Sequence, residues 1–375
     1  MHVMFFLFSM STGGAERFTA NMANHWSAKG HEVSVVTLSN KDGDGYELDP
    51  RIRRVALNLS ASRRSLWSAL SNNITRVRAL NACLRELSPD VVFGIMSTGS
   101  VLLSLAQKSP SRVHIGTERS YPPSMPLGRI WETLRKLFYR RLDVVVAQTK
   151  EGADWVRRHT SADQVEAIPN PVTYPLPRHD PILSPADHLA SGRKLLLAVG
   201  RLGPEKGYDR LMNTFAHLAP ELPEWDLVIM GEGGERPALE AQRDRLKLGG
   251  RVLLPGRAGN VGDWYARADL FALTSLFEGF PNVLVEAMAH GVPAVSVDCN
   301  TGPRDVIRSG RNGVLVPQND PEALRAALHA LMSDPARLQV LAQEAVAVRQ
   351  TFSMEGIAAR WEQLMPSAPR SKPRV

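Results

Sequence analysis

Residues 195–218 read LLLAV–GRLGPEKG–YDRLMNTFAHL. The three parts have different physical characters. Leu195–Val199 is a continuous apolar run of strand length, Gly200–Gly207 a glycine-rich loop, and Tyr208–Leu218 an amphipathic helical stretch. A strand feeding a helix through a short loop is the repeating block of a parallel sheet. The same alternation continues downstream with apolar runs at Leu227–Met230, Val252–Leu254, Leu270–Thr274, Ala294–Val297 and Val314–Val316. Helical stretches fall around Arg236–Leu246, Asn282–His290 and Pro321–Met332.

An equivalent series precedes it. Val3–Phe8, Val33–Leu38, Val91–Ile95, Val113–Ile115, Val144–Ala147 and Val165–Ile168 read as short buried strands. Ala15–Lys29, Ser65–Leu87, Gly128–Leu142 and Gly152–His159 read as helices, the first ended by Gly30 at the expected cap position. Near-continuous apolar strands imply sheets covered on both faces. Between the series, Pro169–Gly192 holds five further prolines and little periodicity, as an interdomain linker would. The expected organisation is α/β: two doubly wound, Rossmann-like domains facing a central cleft. Residues 1–175 form the first and 193–350 the second, with a linker at 176–192. A helix at 351–365 follows, and a polar, basic, disordered tail at 366–375. Ligands of such sheets lie at the carboxyl ends of the strands, so the loops there carry the chemistry.

Composition narrows the classes. A length of 375 residues, 43% hydrophobic and 22% charged, is that of an ordinary globular protein. Cys83 and Cys299 are the only cysteines, which excludes a disulfide scaffold and a cysteine zinc site and fits a reducing cytoplasm. No apolar run reaches the roughly 18–20 residues of a membrane span. The apolar start lacks the basic leader of a signal peptide and reads as a buried strand. The net charge of +7 is uneven: residues 51–160 carry 19 basic against 7 acidic side chains, a local +12. Such a patch is either a solvated arginine-rich surface or a site for an anionic partner.

Three loops carry candidate chemistry. Glu278-Gly-Phe-Pro-Asn-Val-Leu-Val-Glu286 places one carboxylate on the loop after a strand and the other one turn into the next helix. Pro281 suits the first helical turn, and the amides of Asn282, Val283 and Leu284 would form a phosphate cradle. The spacing of about 10 Å suits two sugar-binding carboxylates with a diphosphate between them, or merely an acidic helix start and a surface residue. Gly200-Arg201 and Lys206-Gly207 put two cations five residues apart, either on a pyrophosphate or in solvent. They form no Walker loop. Gly231-Glu232-Gly233-Gly234 fails the dinucleotide fingerprint because Arg236 stands where its third glycine belongs, and Gly13-Gly14 carries no nicotinamide motif either. Asp42-Gly43-Asp44 has the form of a metal-binding D-x-D but sits in a turn that favours those residues, and no His/Asp cluster has metal-ligand spacing.

Gly128–Leu142, GRIWETLRKLFYRRL, groups Ile130, Trp131, Leu134, Leu137, Phe138 and Leu142 on an apolar face. Arg129, Arg135, Lys136, Arg140 and Arg141 occupy the remainder. This face either packs on its own sheet or docks on an anionic bilayer. Ser62–Arg78, with Arg63, Arg64, Trp67, Arg76 and Arg78, is a second such segment. Aromatic and basic residues are not interleaved as in RNA-binding motifs, so no nucleic-acid partner is expected.

Together these segments resemble the retaining glycosyltransferases of family 4, which have the GT-B fold. The ordered set runs from Leu195 through Gly200-Arg201, Lys206-Gly207, Gly231-Glu232-Gly233, Pro255-Gly256-Arg257 and the paired glutamates to Gly313-Val314-Leu315-Val316-Pro317. The resemblance implies a nucleotide-sugar donor, no cofactor and no metal. It gives Glu278 the donor hexose and Glu286 the ribose. Arg201 and Lys206 would stabilise the departing diphosphate. Gly14, Gly200, Arg257, Phe280, Pro281, Asn282 and Val283 become donor contacts, and the last helix, around Phe352–Leu364, crosses back to the first domain. Retention in such enzymes proceeds by front-face attack with the donor phosphate taking the acceptor's proton, so no enzymatic base is nominated. Many relatives carry a histidine near the sugar where this chain reads His114-Ile-Gly-Thr-Glu118-Arg119. Glu118 and Arg119, with Gly13, are therefore candidate acceptor or sugar contacts only. The Glu-Arg variant and Asn170-Pro171-Val172 look like the bacterial branch that builds lipopolysaccharide and polyprenyl-diphosphate-linked glycans. The expected reaction is transfer of a hexose or N-acetylhexosamine, from a UDP-sugar, to such an acceptor. The enzyme would be cytoplasmic and peripheral on the inner membrane face. GDP-mannose as donor, a nucleotide-sugar 2-epimerase, and a non-catalytic nucleotide-sugar-binding subunit are the alternatives.

Overall fold

The computed structural model describes residues 1–60 and 66–366. Expectations placed on Arg63, Arg64, the Trp67 side chain and the tail 367–375 lie outside the described residues. The chain divides into two compact units, Met1–Pro171 with Met354–Val375, and Val172–Ser353.

The first unit holds the strands β1 (His2–Leu7), β2 (Glu32–Thr37), β3 (Arg53–Ala56), β4 (Val91–Gly94), β5 (Val113–Glu118), β6 (Val144–Ala147) and β7 (Val165–Ala167). They form a parallel sheet ordered β3-β2-β1-β4-β5-β6-β7. The second unit holds β8 (Lys194–Val199), β9 (Trp225–Met230), β10 (Val252–Leu253), β11 (Leu270–Leu273), β12 (Ala294–Asp298) and β13 (Val314–Pro317), ordered β10-β9-β8-β11-β12-β13 and also parallel. β1 pairs with β2 from His2↔Glu32 and with β4 from Val3↔Val91, so the first strand of the chain lies inside its sheet.

The continuous apolar strands now have their explanation. Along β1, Val3, Phe5 and Leu7 face one core and Met4 and Phe6 the other. Along β8, Leu196 and Ala198 face one core and Leu195 and Leu197 the opposite one. Each strand is buried on both faces, which alternating polar sequences cannot satisfy. The helix Met354–Glu362 returns to the first unit as expected: Trp361 packs on Phe18 and Phe93, and Glu362 accepts from Trp26 Nε1 at 3.1 Å and from Lys29 Nζ at 2.8 Å.

Three local expectations are corrected. β3 escaped notice because RRVA is a half-exposed edge strand without an apolar run. The helix Met96–Leu105, MSTGSVLLSL, escaped because nearly all of it is buried, leaving no polar stripe to give a 3.6-residue period. The proline-rich stretch is not a free connector. His179 and Gly259 pair backbones, the Asn260 side chain brackets Leu183 at 2.9 and 3.0 Å, and Trp264 Nε1 donates to Leu183 O. With Val172 and Leu189 buried, this segment is packed as part of the second unit. Prolines there supply extended backbone that needs few donors of its own.

Candidate active site

In the second sheet β8 is the first strand in sequence and lies between β9 and β11, so the strand order reverses between β8 and β11. Helices leave the two strands in opposite directions there, opening a crevice at their carboxyl ends. The loop after β8 carries Lys206, and the loop after β11 carries Glu278. The fold brings them together: Lys206 Nζ donates to Glu278 Oε1 at 2.7 Å. Ser275 Oγ donates to the same oxygen at 2.7 Å. Both of these bonds fall on Oε1, which leaves Oε2 unengaged among the described residues.

The two loops are fastened at several points. Thr274 Oγ1 donates to Lys206 O at 3.0 Å, Leu276 N to Glu205 O at 2.7 Å, and Arg210 Nη2 to Thr274 O at 2.7 Å. Thr301 Oγ1 donates to Glu278 O from the loop after β12. Gly207, with φ 63°, is the turn that starts the helix Tyr208–Leu218, and a Cβ there would lie 2.5 Å from Thr274 O. None of Ser275, Thr301, Thr274, Glu205 or Arg210 was singled out by the sequence. Thr301, Thr274, Glu205 and Arg210 meet partners on other loops far along the chain, and although Ser275 stands only three residues from Glu278, no local pattern marks any of them.

Two neighbours of Glu278 are held neutral. Burial pushes the Cys299 thiol up to about 12, with Glu278 adding to it. Burial, then Glu278 and Glu205, raise the Tyr208 phenol. Neither group supplies an anionic nucleophile or base at neutral pH.

Arg201 lies on the same loop, 72% exposed and paired with Glu205 Oε1 at 2.6 Å, an exposed ion pair that holds it loosely. Arg257 is exposed beyond β10. Glycines 200, 231 and 256 weld the loops after β8, β9 and β10. Gly231 N donates to Gly256 O at 2.9 Å, Gly200 N to Met230 O at 3.0 Å, and a Cβ on Gly231 would lie 1.8 Å from Gly200 O. Gly231, and Gly233 whose Cβ would lie 2.3 Å from Leu202 O, therefore have a packing reason rather than a dinucleotide one.

The second motif glutamate, Glu286, is buried in the helix Asn282–Ala289 and accepts from Tyr265 OH at 3.2 Å. Around this helix start the expectations need correction. Pro281 is the cap rather than the first helical residue. Asn282 N donates to Phe280 O and Leu284 N to Pro281 O, so the turn itself uses two of the three expected phosphate-binding amides and leaves that of Val283. Phe280 is buried and packs edge-on against Phe352 at 5.5 Å, serving the core rather than lining a sugar site.

In the first unit the order reverses between β1 and β4, and a small recess lies at their ends, lined by Phe8, Ser9, Glu16, Met96 and Thr98 among others. Gly13 caps the helix that begins at Gly14, and a Cβ on it would lie 2.3 Å from Glu16 Oε2. Burial raises the Glu16 carboxyl, against hydrogen bonds from its backbone, Ser9 and Ser11. Glu118 is corrected as a contact residue. It is fully enclosed, accepting from Ser97 Oγ and from Tyr139 OH at 2.6 Å beside Arg135 at 3.6 Å, so its oxygens are committed inside the fold. Burial raises its carboxyl above the ordinary range. Arg119 is buried with its guanidinium 3.5 Å from the Phe18 ring centroid and donates to Asn170 Oδ1. Its Nε and Nη1 find no partner among the described residues, and burial pulls it down to about 9. Asp44 of the D-x-D turn is used by Arg54, two bonds of 2.8 Å each. Among the described residues no group of three His, Cys, Asp or Glu side chains is placed to hold a metal ion.

Comparison with known proteins agrees with this architecture. The family model "Glycosyltransferase Family 4" matches residues 12–174, and "Glycosyl transferases group 1" matches residues 182–347. A Campylobacter jejuni protein, GalNAc-alpha-(1->4)-GalNAc-alpha-(1->3)-diNAcBac-PP-undecaprenol alpha-1,4-N-acetyl-D-galactosaminyltransferase, is 26% identical over 97% of this chain and 98% of its own. Sucrose-phosphate synthase from Thermosynechococcus elongatus superposes with a TM-score of 0.80 at 20% identity, covering 97% of this chain and 98% of that one. Anabaena HepE in complex with UDP superposes at 0.77 and 19% identity, covering 97% and 99%. Two parallel sheets, each with a switch point in its strand order, define an α/β scaffold of the GT-B type. This chain belongs to the family 4 glycosyltransferases of the GT-B fold.

Proposed function

We propose that the chain is a retaining, metal-independent glycosyltransferase. It moves a hexose or N-acetylhexosamine from a UDP-sugar to a polyprenyl-diphosphate-linked glycan or lipopolysaccharide acceptor at the inner face of the bacterial cytoplasmic membrane. The observation that carries it is the Lys206–Glu278–Ser275 constellation at the switch point of the second sheet. A departing nucleoside diphosphate develops negative charge, and fixed cations at a crevice stabilise it without reorganising. Lys206 is one such cation, and Arg201, loosely held by Glu205, is free to swing onto the diphosphate. Glu278 Oε2 takes a sugar hydroxyl while Ser275 keeps Oε1 in place. Glu286 takes the ribose. The Val283 amide, Gly14 and Arg257 contribute on the donor side, and Gly13 and Arg119 border the acceptor. Relatives support both ends of this reading: the Campylobacter protein is named for an undecaprenol-linked acceptor, which supports the acceptor class, and HepE is in complex with UDP, which supports the donor nucleotide.

A thermal-shift panel tests this reading, with UDP, GDP, UDP-GlcNAc, UDP-GalNAc, UDP-Glc, UDP-Gal and GDP-mannose, each with and without EDTA. UDP and one or more UDP-sugars should raise Tm equally in both conditions, and Lys206→Ala should abolish the rise. A rise with GDP-mannose alone would replace the donor by GDP-mannose. Loss of the rise with EDTA would overturn metal independence, and interconversion of a UDP-sugar without acceptor would make the protein an epimerase.

A further inference from the structure

The helix Arg129–Phe138 does not bury its whole apolar face. Trp131 is enclosed and Leu134 packs against the first unit's core, but Ile130 is 66% exposed and Leu137 is 51% exposed. Seven residues apart, these two stand on one stripe of the helix. Met125, 47% exposed, lies on the loop leading into it. Beside that stripe runs a second one of Arg129, Thr133 and Lys136, continued by Arg140 in the following turn, all exposed. Arg129, Lys136 and Arg140 have no ion-pair partner among the described residues. The helix's single carboxylate, Glu132, is turned away, accepting from Leu127 N at 3.0 Å and from the buried Arg135. The outward surface thus presents large apolar side chains and three uncompensated cations with no acid between them.

We propose that this surface docks the protein on an anionic lipid bilayer, with Ile130, Leu137 and Met125 entering the headgroup region and Arg129, Lys136 and Arg140 meeting lipid phosphates. Neither stripe alone selects this partner. A solvated basic face does not need exposed Ile and Leu, and an apolar protein interface does not need three bare cations beside it. An interfacial helix requires both at once. The choice of a bilayer over another acidic surface rests on the lipid-linked acceptor proposed above.

The test is co-sedimentation of the full chain with vesicles of phosphatidylglycerol and phosphatidylethanolamine, against pure phosphatidylcholine, at low and high salt. Wild type should bind the anionic vesicles at least about 10-fold more tightly, and lose most of that advantage at high salt. Ile130→Ser with Leu137→Ser should weaken anionic-vesicle binding about 10-fold, and Arg129→Glu with Lys136→Glu at least as much. All of these residues are exposed, so Tm and the UDP-induced rise should stay at wild-type values in both variants. Equal binding to neutral vesicles, or wild-type binding by either variant, would overturn the proposal. So would binding to polyglutamate as tight as to vesicles and unaffected by the Ser pair. Loss of the nucleotide response with vesicle binding intact would instead count against the proposed transferase chemistry alone.

Discussion

At the scale of single residues, the candidate site turns on how Glu278 is held. Lys206 and Ser275 share its Oε1, so the carboxylate has one anchored and one open oxygen. Lys206→Met should cut kcat by about 10²–10³, the usual cost of removing a fixed charge that meets a developing anion. Donor hydrolysis, followed by nucleoside diphosphate release, needs no acceptor and measures it. Ser275 is buried and never needs to touch the donor's phosphates. Ser275→Ala should therefore lower kcat about 10-fold, one hydrogen bond's worth of positioning, while the UDP-induced Tm rise persists. A lost Tm rise in Ser275→Ala would mean that the hydroxyl acts on nucleotide binding and not through Glu278. Thr301, donating to the carbonyl of the same residue, fixes the loop from the other side.

At the scale of elements, loops meeting at strand ends decide where those residues stand. Gly231→Ala drives a Cβ to within 1.8 Å of the Gly200 carbonyl, where backbone rather than a flexible side chain must yield. It should cost about 2–4 kcal/mol, read from urea unfolding. Gly234, three residues on, meets nothing within 4 Å, and Gly234→Ala should stay within about 0.5 kcal/mol of wild type. The strands of both sheets apart from β3 were legible as apolar runs, because a strand buried on both faces cannot hide in sequence. The paired motifs were legible too, since Lys206 and Glu278 each follow such a run. What could not be read was which loop touches which. Phe280 looked like a site residue because it sits inside the motif, whereas Phe352, its partner, is 72 residues away. Whether Ile130 and Leu137 pack inward or face outward stayed open in the sequence, because periodicity gives the apolar arc of a helix but not how much of it a neighbour covers. Glu118 looked available because no local signal announces Ser97, Tyr139 and Arg135 closing over it.

At the scale of the whole molecule, charge and titration gather in the first unit. His114, on β5, has its ring pulled from the ordinary 6.5 to about 4, chiefly by burial and then by Arg112, with Asp143 opposing and Lys108 and Arg141 adding. Its Nε2 has no partner among the described residues, so a proton there would be a buried unpaired charge. His25 and His31, also in this unit, are lowered in the same sense by burial. A histidine depressed in the folded state stays neutral there while the unfolded chain binds a proton, so its stabilisation is whole above pH 6.5. It is lost as pH falls from 6.5 toward 4. For His114 the amount is on the order of 3 kcal/mol. Glu16 and Glu118, raised by burial, act oppositely: each favours the folded state more as pH falls through its raised value. The histidine contribution must therefore be read as a difference between proteins. Wild type should lose roughly 5–10 °C more of Tm than His114→Gln between pH 7 and pH 4.5. Parallel Tm curves for the two would mean that His114 is charged in the folded protein, with its ring reaching solvent or Asp143 in a way the enclosed strand does not allow.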